Sequence, residues 1–142
     1  MFEIKQAVTH EDRKQCYALR HVVYVEEQGV PVELEIDDHD ETDAIHMIGV
    51  EDGTVVATAR LYLVDGVGKI GRVAVSETYR GRGYGKHIIQ ALMDYARDEN
   101  ILRLELDAQI HATGLYEKLG FKKTGDIFDD AGIDHIKMFK KQ

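Results

Sequence analysis

The sequence predicts a mixed α/β domain in which an antiparallel meander feeds a parallel βαβ unit. Three observations carry that prediction. Two Asp-Gly pairs, Asp52-Gly53 and Asp65-Gly66, separate apolar runs, and such pairs are a strong hairpin signal. A glycine-rich turn through Gly81, Gly83 and Gly85 joins the last of those runs to Ile88, Ile89, Leu92, Met93 and Ala96, a stripe on a 3.6-residue period. Ile101 to Ala108 then alternates, with Leu102, Leu104, Leu106 and Ala108 on one face and Arg103, Glu105 and Asp107 on the other. A strand, a helix and a strand in that order imply a right-handed parallel crossover.

In chain order, Phe2 to Val8 reads as a first strand. Thr9, followed by Glu11 and Asp12, gives an N-cap with acids in the first turn, and the helix it opens runs through Cys16 and Leu19 towards Tyr24. Residues 26–41 are irregular and strongly acidic, with Pro31, the only proline, stopping any helix from crossing them. This passage reads either as a solvated acidic surface or as a wall that faces an amine substrate. Three strands follow, Ile45–Val50, Val55–Val64 and Lys69–Val75, and the long helix ends around Asn100. Gln109 to Phe121 contains a short helix closed by Gly120. Phe121–Phe128 and Ile133–Phe139 read as a closing pair of strands around the turn Asp129-Asp130-Ala131-Gly132.

At 142 residues the chain is expected to form one domain. No apolar run approaches the length of a membrane span, and the first residues carry no signal-peptide core. The single cysteine, Cys16, lies in a helical stripe with Leu19 and Val23, which reads as core packing in a reducing cytoplasm. A formal net charge of −8 argues against general nucleic-acid binding. Within this acidic chain, Arg80, Arg82 and Lys86 nevertheless gather at the turn before the long helix. Glycines let backbone amides approach a ligand closely, and a helix N-terminus adds free N–H groups, so the junction reads as an anion cradle for a pyrophosphate. It is neither a P-loop, since Gly85-Lys86 is followed by His87, nor a G-x-G-x-x-G dinucleotide fingerprint, since Lys86 stands where the third glycine belongs. The histidines show no metal-ligand spacing and there is no G-x-S-x-G nucleophile motif, so neither a metal nor an acyl-enzyme is expected.

The spelling R-x-x-G-x-G, from Arg80 through Gly83 to Gly85, resembles the acyl-CoA pyrophosphate loop of the GNAT N-acetyltransferase superfamily. The run Ala112-x-x-Leu115-Tyr116-Glu117-Lys118-Leu119-Gly120-Phe121 resembles that family's second signature. Gln28-Gly29-Val30-Pro31, Gly71-Arg72-Val73, Ala108-Gln109 and Gly132-Ile133-Asp134-His135 resemble its ElaA-like branch. The resemblance implies a central mixed sheet with helices on both faces and a splay between its parallel strands, with acetyl-CoA as co-substrate. It also implies that Val73, Ala74 and Val75 hold the pantetheine arm, while Arg80, Gly81, Arg82, Gly83, Tyr84, Gly85 and Lys86 cradle the pyrophosphate. Gln109 stands where many members have Asn, and Tyr116 matches the tyrosine that faces the thioester sulfur. Glu26, Glu33, Asp107, His111 and His135 are candidate proton acceptors or substrate contacts.

The expected activity is therefore acetyl transfer from acetyl-CoA to a small-molecule or peptide amine, by a cytoplasmic monomer or homodimer. An acyl-CoA sensor without turnover, and a module binding basic partners through the acidic passage, are the rival readings.

Overall fold

A computed structural model describes residues 1–142. It contains one seven-stranded sheet in the order β1-β2-β3-β4-β5-β7-β6. β1 (Phe2–Gln6), β2 (Ile45–Glu51), β3 (Thr54–Val64) and β4 (Val67–Val75) form the antiparallel meander. Both hairpins turn where the Asp-Gly pairs lie. Asp52 and Gly53 have φ of 51° and 81°, and Asp65 and Gly66 have φ of 49° and 80°. Two successive positive φ values are what a tight two-residue hairpin of the correct twist demands.

Between β1 and β2 lie α1 (His10–Arg20), α2 (Val32–Glu35) and α3 (His39–Thr42). Thr9 caps α1, its hydroxyl accepting from the Asp12 amide at 3.0 Å. The sequence suggests that this helix continues to Tyr24. The structure instead widens into a π-helical segment over His21–Glu27. The acidic passage, expected to be irregular, carries the two short helices, with Pro31 at the N-cap of α2.

α4 (Tyr84–Asp98) links β4 to β5 (Arg103–Gln109), and these strands pair in parallel. That pairing covers only Val67–Ile70 against Arg103–Leu106, so beyond Ile70 and Leu106 the two strands splay apart. Leu102 departs from the alternation expected of it. It precedes the strand and is exposed. α5 (Thr113–Lys118) follows β5. β6 (Lys122–Asp130) and β7 (Ile133–Lys141) close the sheet, with β7 inserted between β5 and β6.

Helices cover both sheet faces. All five apolar residues of the α4 stripe are buried against Leu61, Leu104, Leu106 and Met138. On the opposite face Cys16 of α1 packs with Ala7, Ile48 and Val55, and its Sγ lies 3.1 Å from the Thr58 hydroxyl. Met47 and Ile48 belong to different clusters, as strand alternation requires.

Candidate active site

The splay opens a cavity of about 590 Å³. Val73, Ala74, Val75, Arg80 and Gly85 line it from β4 and the glycine loop, Asp107 and Gln109 from β5, His111 and Tyr116 from the segment that follows, and His135 from β7. A smaller hollow of about 200 Å³ shares Val75, Arg80 and Gly85 and adds Gly81, Gly83, Tyr84 and Lys86. The cleft and the glycine cradle are thus contiguous. Gly83, at φ 81°, is the N-cap of α4, and a Cβ placed there would meet nothing within 4 Å. The cradle therefore opens to a ligand at the positive end of a fifteen-residue helix.

Packing fixes the cradle's own shape. Phe2 stacks on Tyr84 with ring centroids 3.8 Å apart, and the Tyr84 hydroxyl donates to Glu51 at 3.0 Å. Arg82 lines neither hollow, its guanidinium lying 5.0 Å from the Tyr79 ring centre. Arg80 bonds Glu27 at 2.7 Å and, through Nε, the Val75 carbonyl at 3.0 Å. The Val73 carbonyl accepts from the Tyr24 hydroxyl at 2.6 Å. Both carbonyls at the splay are thereby occupied.

Gln109 pairs reciprocally with Gln28. Gln109 Nε2 donates to Gln28 Oε1 at 2.9 Å, and Gln28 Nε2 donates back at 3.3 Å. Tyr116 is 7% exposed, and its hydroxyl makes no hydrogen bond within the protein. Burial, helped by nearby Tyr24, pushes its pKa well above the ordinary tyrosine value. It is a neutral donor facing the cavity.

The sequence offers five candidate proton acceptors or substrate contacts. Asp107, His111 and His135 line the cavity, whereas Glu26 and Glu33 are exposed and do not. His135 is 8% exposed and stacks on Phe128. Its Nδ1 lies 2.7 Å from the Ile133 carbonyl, so this nitrogen carries the proton and Nε2 is left as an acceptor.

The acidic passage divides: Glu26, Glu27, Glu33, Asp38 and Glu41 are solvent-exposed, whereas Glu35 lines the cavity. Glu35 and Asp40 are buried and clamped by arginines. Arg20, itself 0% exposed, bonds both Glu35 oxygens through Nε at 3.1 Å and takes Asp40 through Nη1 and Nη2 at 2.7 and 3.0 Å. Arg60 bonds Asp37 at 2.6 and 2.7 Å, and Arg72 bonds the Glu35 carboxylate at 3.2 Å. Burial pushes the Asp40 carboxyl up, but Arg20 and Arg60 overcome it and hold the group well below the usual carboxylate range. Glu35, Arg60, Arg72, Tyr24 and Gln28 all line the cavity, and none was singled out as a site residue from the sequence. A signal was present for one of them. Arg60 interrupts the apolar run Val55–Val64, and a charge within a buried strand requires a partner.

A family model described as the acetyltransferase (GNAT) family matches residues 7–121. The chain belongs to this family. Pairwise comparison extends the likeness over nearly the whole chain. The uncharacterized N-acetyltransferase YjcF of Bacillus subtilis is 35% identical over 94% of this chain and 96% of its own. The ElaA protein of Escherichia coli is 33% identical over 89% of this chain and 88% of its own. The ElaA crystal structure superposes with a TM-score of 0.90, at 28% identity, over 99% of this chain and all of that one. An acyl-CoA N-acyltransferase from Pseudomonas aeruginosa gives 0.87 at 28% identity, covering 99% and 98% of the two chains. The likeness to ElaA agrees with the branch suggested by the short motifs.

Proposed function

We propose that this GNAT protein transfers the acetyl group of acetyl-CoA to a primary amine by direct attack within a ternary complex. The observation that carries the reading is the unbonded Tyr116 hydroxyl in a cavity continuous with the glycine cradle. The cradle's backbone amides and Lys86 suit the pyrophosphate. Val73 and Val75 line the cavity where β4 parts from β5, and backbone groups there suit the extended arm and the oxyanion.

The amine nitrogen attacks the thioester carbonyl, the C–S bond breaks, and the sulfur leaves as a thiolate. A thiol has a reference pKa of about 8.5, far below a tyrosine raised by burial. Tyr116 therefore stabilises the departing sulfur by donating a hydrogen bond rather than by full proton transfer. His135, with Nε2 free to accept, takes the amine proton. Three carboxylates of the acidic passage, Glu35, Asp37 and Asp40, are held by arginines, which removes them from a docking surface for basic partners.

Thermal unfolding with acetyl-CoA tests the reading. Ligand at about a hundred times its Kd should stabilise the native state by about 2.7 kcal/mol, raising Tm by several degrees. Gly83→Asp places a carboxylate and a Cβ in the cradle and should abolish that rise while remaining folded. A folded wild type with no rise at millimolar acetyl-CoA overturns the proposal.

A further inference from the structure

The two parallel strands part where a segment from outside the sheet touches both of them. Arg72, at φ 51° beside the register shift in the β3–β4 ladder, bends β4 as the parting begins. Beyond Ile70 and Leu106 neither strand has the other as a partner, although each keeps its far edge paired. β4 stays on β3, with Ala74 opposite Thr58 and the Ser76 amide donating to the Val56 carbonyl at 2.8 Å. β5 stays on β7, with Gln109 opposite His135. Backbone groups of successive strand residues face opposite edges, so those of Val73 and Val75 face the gap. Carried on unchanged, the register of the paired stretch would set Gln109 opposite Val73.

The segment that reaches these positions is the π-helical turn His21–Glu27 together with Gln28. The Tyr24 hydroxyl donates to the Val73 carbonyl at 2.6 Å. Glu27 holds Arg80 at 2.7 Å, and Arg80 Nε donates to the Val75 carbonyl at 3.0 Å. On the other strand the Gln109 side chain exchanges bonds with Gln28 at 2.9 and 3.3 Å. The segment thus secures β4 twice and β5 once. A π-helix is rare and recurs at functional sites, and here both Tyr24 and Gln28 line the cavity. We infer that residues 21–28 act as a wedge that keeps the β4 edge extended and open for the pantetheine arm of acetyl-CoA, with Tyr24 and Glu27 as positioning residues. A strand edge already held in shape spares the ligand the cost of ordering it, so the wedge adds affinity without touching the nucleotide. This rests on the acetyl-CoA reading above and adds the residues that prepare its site.

The test compares two ligands by calorimetric titration. One is acetyl-CoA, and the other is adenosine 3′-phosphate 5′-diphosphate, which is CoA without its arm. Tyr24→Phe should raise the acetyl-CoA Kd by about 5- to 10-fold, the worth of one hydrogen bond, and leave the Kd of the armless fragment unchanged. Glu27→Gln keeps an acceptor for Arg80 and should shift the acetyl-CoA Kd in the same direction by less. Tyr17→Phe is the control. It loses a hydroxyl bonded to Glu41 at 2.8 Å, away from the cavity lining, and should leave both Kd values as they are.

A folded Tyr24→Phe that binds acetyl-CoA as the wild type does overturns this inference and leaves the transferase reading intact. So does an equal loss of affinity for both ligands, because the arm is then not what Tyr24 prepares for. If the fragment binds too weakly to titrate, the change in acetyl-CoA Kd for Tyr24→Phe against that for Tyr17→Phe decides. If Tyr24→Phe does not fold, Glu27→Gln decides. Wild-type protein that fails to bind acetyl-CoA overturns the transferase reading, and this inference with it.

Discussion

Tyr116→Phe is expected to lower kcat for acetyl transfer by about a hundredfold or more, while leaving the acetyl-CoA thermal shift intact. Removing one hydrogen-bond donor aimed at charge that develops in the transition state costs about 10²- to 10³-fold in kcat. The hydroxyl makes no bond within the protein, so its loss leaves no buried partner unsatisfied. The ring keeps its edge-on contact with Phe121, at 6.2 Å between centroids. Steady-state kinetics beside thermal unfolding therefore separates chemistry from folding. An unchanged kcat in a folded variant would remove Tyr116 from the mechanism and favour the reading in which the protein binds acyl-CoA without turnover.

The second large effect is on stability. Arg20→Ala leaves the buried Asp40 carboxylate with Arg60 alone and the buried Glu35 carboxylate with Arg72 alone, and breaking a buried pair from one side costs about 3–5 kcal/mol. That is a large share of the roughly 5–15 kcal/mol that holds a domain together, so a Tm lower by about ten degrees or more is expected. Arg97→Ala is the control, since its contact with Asp94 at 3.4 Å is more than half exposed on both sides and should count for little.

The same cluster makes the fold acid-labile. Asp40 and Asp37 have carboxyls held below their ordinary values, and bonds from Lys69 and Arg103 bring Glu105 down to about 2. Burial lowers His46. In each case the unfolded chain binds protons more readily than the folded one, so stability rises with pH. The contribution of His46 begins to fall below about pH 6.5, and those of the carboxyls below about pH 4. Denaturant midpoints measured from pH 7 to pH 3 should fall throughout and most steeply at the acid end. A midpoint that rises on acidification would contradict the cluster's assigned charges.

Local chemistry was legible in the sequence and distant pairing was not. The two hairpins follow from Asp-Gly pairs because the positive φ they need is a property of those residues alone. The cradle and the buried stripe of α4 likewise follow from glycine spacing and helical period. The arginine partners of Glu35, Asp37 and Asp40 are not legible in the acidic passage, because a run of carboxylates carries no record of partners 15 to 37 residues away at Arg20, Arg60 and Arg72. Glu26 and Glu33 looked equivalent to Glu35 for the same reason, yet only Glu35 reaches the cavity. Gln109 lines the cavity, and its pairing with Gln28 joins positions 81 residues apart, which no local pattern shows.

The arginine–carboxylate cluster also bears on how long the folded state lasts. Its members come from α1, α2, β3, β4 and the loop and helix before β2, and their charges can meet only after those elements have docked and shed water. Contacts that close such loops and require dry surroundings are expected to form after the folding transition state. Substitutions there should hasten unfolding and leave the rate of folding nearly unchanged. The charges beneath the cavity then govern the lifetime of the site rather than the speed of its assembly.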